Sequence, residues 1–306
     1  MRARGCNNPL ASFLCSLIRG KRETRNDGNS HWLKKRENSG ILQVTTVSSD
    51  VGEGKAMKNI LLEVCCGSAD DVIEAWKAGA DRVELNSNLF HGGLTPTIGS
   101  LIVAKRETKI PVMTMVRPRE GGFCYTETEF RVCTEDAEML LKNGADGLVF
   151  GFLTAEGRIN LERTRRVAEI AQRAGKETVF HRAIDVVPDW KEAIDQLAEL
   201  GITRILTSGQ SPDVSDATDT IREMIAYAGE RIQILPGAGI TMRNIRRVAE
   251  ETGAGQLHVA VHRTLMDTST VNNRAIYYGG CLYPPEDRYQ MIDGAAIENM
   301  KKMERN

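Results

Sequence analysis

No stretch of this 306-residue chain comes near the ~20 consecutive apolar residues that a membrane-spanning helix needs. Charge of one sign is equally scarce: 40 Lys and Arg stand against 41 Asp and Glu, for a net −1. No stripe of basic residues interleaved with aromatics marks a nucleic-acid surface, and the balance suggests neither an acidic nor a basic partner. The 7 cysteines are odd in number and outside any disulfide-framework spacing. With no secretory signal they read as free thiols in a reducing compartment. There is also no Cys-x-x-Cys pair and no four-ligand zinc spacing. What remains is an ordinary globular composition, 41% hydrophobic and 26% charged, enough to bury a large core. The length exceeds one average domain but suits an α/β barrel, which commonly reaches ~250 residues as a single unit.

Residues 1–57 differ from the rest. They are rich in Asn, Ser, Gly and basic residues and poor in hydrophobic period, which predicts a disordered extension. An amphipathic turn or two at 10–18 would suit an organelle transit peptide. The favoured reading is a translation start at Met57, because Gly52-Glu53-Gly54-Lys55 is what a purine-rich ribosome-binding site would encode.

Over 58–306, strands and helices alternate. Short strands are expected at 60–64, 82–85, 112–116, 147–150, around Thr178-Val179-Phe180, and at 204–207, 231–235 and 256–261. The first helix is capped by Ser68, with Asp70 and Asp71 in its first turn, and ends at Gly79. Further helices are expected at 96–107 (Thr95 as cap, Pro96 in first position), 127–142, 161–174, 190–200 (Asp189 as cap), 215–228 and 242–251, with a tail helix near 287–303. An internal repeat supports this alternation. Gly79, Gly144, Gly201 and Gly253 each stand where a helix C-cap needs a left-handed residue just before a strand. Their spacing is about two strand–helix units, which makes eight strands, the number that closes a parallel barrel. The predicted fold is a single-domain (β/α)₈ barrel; an open doubly wound sheet is the competitor.

The strand ends carry the chemistry. Phe180-His181-Arg182-Ala183-Ile184-Asp185 puts three ionisable types where a strand runs out. Either this is a site, or Arg182 and Asp185 close a loop and backbone satisfies His181. Glu63 and Glu84 lie in apolar strands, and period two points Glu63 inward with Cys65. The two carboxylates are either a general acid–base pair or members of an ion network with Arg117 or Arg182. Gly237 and Gly239, with Ser208 and Gly209 as neighbours, could present backbone N–H groups to a phosphate. Cys65 and Cys66, with Met113, Met115 and His181, offer soft ligands of the kind that favour Cu(I); the competing reading is buried filler. On the barrel expectation all these groups, with Arg119 and His258, share one rim.

The chain resembles the CutC family, named for copper homeostasis. The resemblance is carried by Leu62-Glu63-Val64-Cys65, 79–85, Gly92-Gly93-Leu94-Thr95-Pro96, Arg117-Pro118-Arg119, 144–151, 180–185, Leu206-Thr207-Ser208-Gly209, Pro236-Gly237-Ala238-Gly239-Ile240 and Leu257-His258, in order. It implies a cytoplasmic (β/α)₈ barrel assembled as a homodimer or homotetramer, with Cu(I) held by cysteines. Cys65 stands on the family's strand-one cysteine. A second cysteine found in some members is Asn86 here, which leaves Cys66 as the candidate second metal ligand.

Two functions follow. One is a copper-binding protein using Cys65 and Cys66. The other is an enzyme on a small anionic, phosphorylated or sugar-like metabolite. In it Arg117, Arg119 and Arg182 clamp the ligand, Ser208, Gly209, Gly237, Gly239 and His258 help bind it, and Glu63, Glu84, His181 or Asp185 moves protons.

Overall fold

The computed structural model describes residues 60–279 and 285–303. The extension at 1–57, its proposed start at Met57 included, lies outside the described residues. Eight parallel strands follow in chain order: β1 (Leu61–Cys66), β2 (Arg82–Leu85), β3 (Val112–Met115), β4 (Gly147–Phe150), β5 (Glu177–Phe180), β6 (Arg204–Thr207), β7 (Gln233–Pro236) and β8 (Gln256–Val259). Seven helices alternate with them: α1 (Ala69–Lys77), α2 (Ile98–Glu107), α3 (Glu127–Lys142), α4 (Leu161–Arg173), α5 (Trp190–Glu199), α6 (Thr218–Ala228) and α7 (Ile245–Thr252).

The strand order is β7-β6-β5-β4-β3-β2-β1-β8, every neighbour parallel. The ring is nearly closed. At the β7–β8 seam a single bridge joins Gly237 to His258, and the Gln256 side chain donates to Gln233 Oε1 and Ile234 O. This is a TIM barrel rather than an open doubly wound sheet, since no crossover reverses the order.

Period two divides the side chains. Leu62, Val64 and Cys66 of β1 are fully buried on the outer face, within the large core shared with the helices. Inside the barrel Met113, Met115, Val149, Val179, Leu206 and Leu235 form a second apolar cluster. Each helix C-terminus follows the repeat: Gly79, Gly144, Gly201 and Gly253 all have φ between +69° and +98°, the left-handed conformation that a side chain would strain.

Three expectations on local structure are corrected. Thr97, not Thr95, caps α2, accepting from Ser100 N. Thr95 is held away by β3's end, where its Oγ1 accepts from Arg117 N. The helix expected at 215–228 starts later, because Asp213 caps a short 3₁₀ turn at Val214–Asp216 first. The tail is not one helix: β9 (His262–Met266) pairs antiparallel with β10 (Arg288–Ile292), and only Gly294–Met303 forms the final helix, α8. The strand wins at 288–292 because its partner supplies a ladder and Asp71 Oδ1 accepts from Ile292 N at 2.8 Å. No helix among the described residues is long and apolar enough to cross a membrane.

Candidate metal site at the barrel mouth

Cys65, Glu84 and His258 come from three adjacent strands, β1, β2 and β8. Their candidate ligand atoms all lie within 4.8 Å of one another. Register makes this happen: Cys65 pairs with Glu84 and Glu63 pairs with His258, so the inward positions of neighbouring strands stack at one level. The Cys65 thiol donates to Glu84 Oε2 at 3.8 Å. Asn86 Nδ2 donates to the same oxygen at 2.8 Å, leaving Glu84 Oε1 buried without a partner.

Glu63 sits behind His258, its Oε1 2.8 Å from His258 Nδ1. Its other oxygen accepts from Arg82 Nε, and Arg82 in turn donates to Gln256 Oε1. Burial opposes the Glu63 charge, but the His258 hydrogen bond and the charges of His258, Arg82 and Arg204 outweigh it and hold its pKa at about 2. A carboxylate on Nδ1 fixes the ring and aims Nε2 at the cluster, the arrangement common behind metal-ligating histidines. For His258 burial disfavours the charge, yet hydrogen bonds to Cys65 and Glu63 and the nearby carboxylates raise its pKa well above the ordinary value. Burial raises Cys65, and Glu84 adds to it against the opposing His258 hydrogen bond. Burial likewise raises Glu84. The cluster thus holds its protons until something displaces them.

Cys66 is placed elsewhere. It faces the helix layer with no exposure, its thiol 3.6 Å from Val64 O, as consecutive residues of a strand must point to opposite faces. The pair of adjacent cysteines therefore does not form one ligand set.

The cluster forms part of the wall of a cavity of about 640 Å³, which also takes in Met115, Arg117, His181, Arg182, Asp185, Gly239 and His262 among its lining. Arg117 reaches it but is consumed by the fold: its guanidinium donates to the carbonyls of His91, Gly92, Gly93 and Gly121. Arg119 turns away onto Glu129. Arg182 is bound to Asp185 at 2.8 Å and to Ser208 Oγ at 2.9 Å, with its side chain half exposed. Asp185 is a loop hub: Thr207 Oγ1, Ser208 N and Ser208 Oγ all donate to it. The salt-bridge reading of Arg182 and Asp185 is what the geometry contains.

Two of the candidate glycine amides are also committed. Gly237 N donates to Thr207 O and Gly209 N to Thr207 Oγ1, so neither amide is offered to a ligand. Gly237 instead allows the seam to close, since a Cβ there would lie 2.9 Å from Leu206 Cδ1 and 3.1 Å from His258 Cβ. His181 Nδ1 accepts from Ala183 N at 3.1 Å, and its Nε2 is buried without a partner.

His262 is the residue that sequence reasoning passed over. It lines the cavity from the start of β9, and its Nε2 is also buried without a partner. The signal was present: His258 and His262 stand four apart.

Comparison with known proteins agrees with this architecture. The CutC family model matches residues 60–263. The CutC protein of Treponema denticola is 49% identical over 247 residues, covering 81% of this chain and 98% of that protein. The human copper homeostasis protein cutC homolog is 36% identical over 255 residues, 83% of this chain and 93% of its own. The crystal structure of CutC from Streptococcus agalactiae, 38% identical, matches 65% of this chain and 97% of its own with a TM-score of 0.62. Residues, fold and relatives agree: this chain belongs to the CutC family.

Proposed function

We propose that this protein acts in copper homeostasis by binding Cu(I) at the barrel mouth through Cys65, Glu84 and His258. The observation that carries the reading is the convergence of a thiol, an imidazole and a carboxylate within 4.8 Å, with one carboxylate oxygen unpartnered. Thiolate with imidazole is a soft set that suits copper in its lower oxidation state, and Met115 adds a thioether to the same cavity wall. Binding displaces the protons on Cys65 and His258, so proton release accompanies uptake and affinity rises with pH. A cytoplasmic location and a homodimeric or homotetrameric assembly belong to the same proposal and rest on the family resemblance. The enzyme reading has less support, because two of its proton-moving candidates are tied up: Glu63 by Arg82 and His258, and Asp185 by Arg182, Thr207 and Ser208.

Competition for Cu(I) against a chromogenic chelator tests the assignment. Cys65→Ser and His258→Gln should lose competition, and Cys66→Ser should retain it. Wild-type protein that fails to compete, or Cys65→Ser that competes equally well, would overturn it.

A further inference from the structure

A cuprous ion fills a small part of the mouth cavity. About 640 Å³ is in the range that takes small organic molecules, roughly 300–1,000 Å³. The walls also hold more polar capacity than an ion uses. Among the described residues, nine buried side-chain nitrogen or oxygen atoms lack a hydrogen-bond partner, and five of them belong to residues lining this one cavity. They are Glu84 Oε1, Asn86 Oδ1, Arg117 Nε, His181 Nε2 and His262 Nε2. Buried polar groups are normally satisfied, so this concentration calls for partners that the protein itself does not supply.

His181 decides which molecule. It is 4% exposed and stands at the end of β5, four strands round the ring from Cys65 on β1. Because Nδ1 accepts from Ala183 N, the ring proton is on Nε2, and the unpartnered atom is a donor. Burial first, and then the charges of Arg117 and Arg182, hold its pKa at about 3, so it donates without becoming a cation. Arg117 Nε, also an unpartnered donor, belongs to a residue of the same lining, as does the half-exposed side chain of Arg182. Gly151 makes the placement possible: a Cβ there would overlap the His181 ring and lie 2.8 Å from Ala183 Cβ. Leu89, Met115, Phe123, Leu206 and Ile240 supply apolar wall.

We propose that the mouth cavity binds a small organic oxyanion, a carboxylate or a phosphate monoester, received by His181 Nε2–H across the barrel from Cys65. His181 Nε2–H, Arg117 Nε and the part of the Arg182 side chain left over from its pairing with Asp185 match an oxyanion, and the apolar wall matches a carbon frame. The proposal rests on the cavity and not on copper binding, so either can fail alone.

Isothermal titration calorimetry of the metal-free full chain with malonate, malate, citrate, inorganic phosphate and glycerol 1-phosphate tests it. At least one organic probe should bind, and His181→Phe should weaken that probe by about tenfold or more, the loss expected for a hydrogen bond to a charged group. Cu(I) affinity of the same variant should be unchanged. Preference for the carboxylates or for the phosphates names the source. In ¹⁵N spectra of the wild-type histidines, the His181 Nε2–H resonance should move on saturation, a readout that does not depend on the variant folding. Binding that leaves this resonance still, or no binding by any organic probe, would overturn the proposal.

Discussion

Replacing Glu63 with Gln should damage stability and metal affinity together, through two separable effects. The carboxylate is 1% exposed and lies between Arg82 Nε and His258 Nδ1. Its pKa of about 2 corresponds to about 3 kcal/mol of preference for the ionised form. Removing one member of a buried pair costs about 3–5 kcal/mol, because the partner charge stays behind. For a domain of this size that is a fall in Tm of about 6–20 °C. The second effect is tautomeric. A glutamine can turn its oxygen to Arg82 only by giving its amide N–H₂ to His258 Nδ1. That moves the ring proton to Nε2 and removes the lone pair a metal needs. Loss of such an orienting partner lowers metal affinity by about 10–100-fold. Thermal unfolding followed by circular dichroism reads the first effect, and chelator competition reads the second. A Glu63→Gln protein with unchanged Cu(I) affinity would refute the role given to Glu63, whatever its Tm.

Other outcomes are equally specific. His181 has its pKa depressed to about 3, so its contribution to stability is complete above the ordinary histidine value and is lost as pH falls. Between pH 6.5 and 5 this loss is about 2 kcal/mol, and urea unfolding should show that slope in the wild type and not in His181→Phe. Arg117→Met leaves four carbonyls without their donor; it should cost at least about 3 kcal/mol, read as a lower urea midpoint at constant m. Gly151→Ala should cost about 1–3 kcal/mol through overpacking and shift the His181 side-chain ¹⁵N resonances; an unmoved resonance would show that the ring does not lean on this glycine. Asp185→Asn should loosen the β6 loop it gathers, seen as faster amide exchange at Ser208 with little change in Cu(I) affinity.

The barrel was legible because its signals are local. Gly79, Gly144, Gly201 and Gly253 fix four helix ends by a conformation that only glycine adopts cheaply, and short β-branched runs between them fix the strands. Period two put Glu63 and Cys65 inside and, read one residue further, puts Cys66 outside. The tail was misread because β10 depends on β9 and on Asp71, more than two hundred residues away.

By itself, then, the sequence determined the alternation of elements, the inward phase of β1, and the family to which these residues belong. It did not determine which ionisable groups are spare. Arg117 and Arg182 look alike on paper, yet one is buried with its terminal nitrogens on four carbonyls and only Nε left over, and the other is half exposed and paired with Asp185. His181 and His258 are both buried imidazoles, yet burial and the charges of Arg117 and Arg182 hold one neutral, while Cys65, Glu63 and Glu84 of β1 and β2 outweigh burial and favour the charge on the other. Partners, burial and register are properties of the closed ring, because hydrogen bonding and desolvation depend on distances that exist only after distant segments have met.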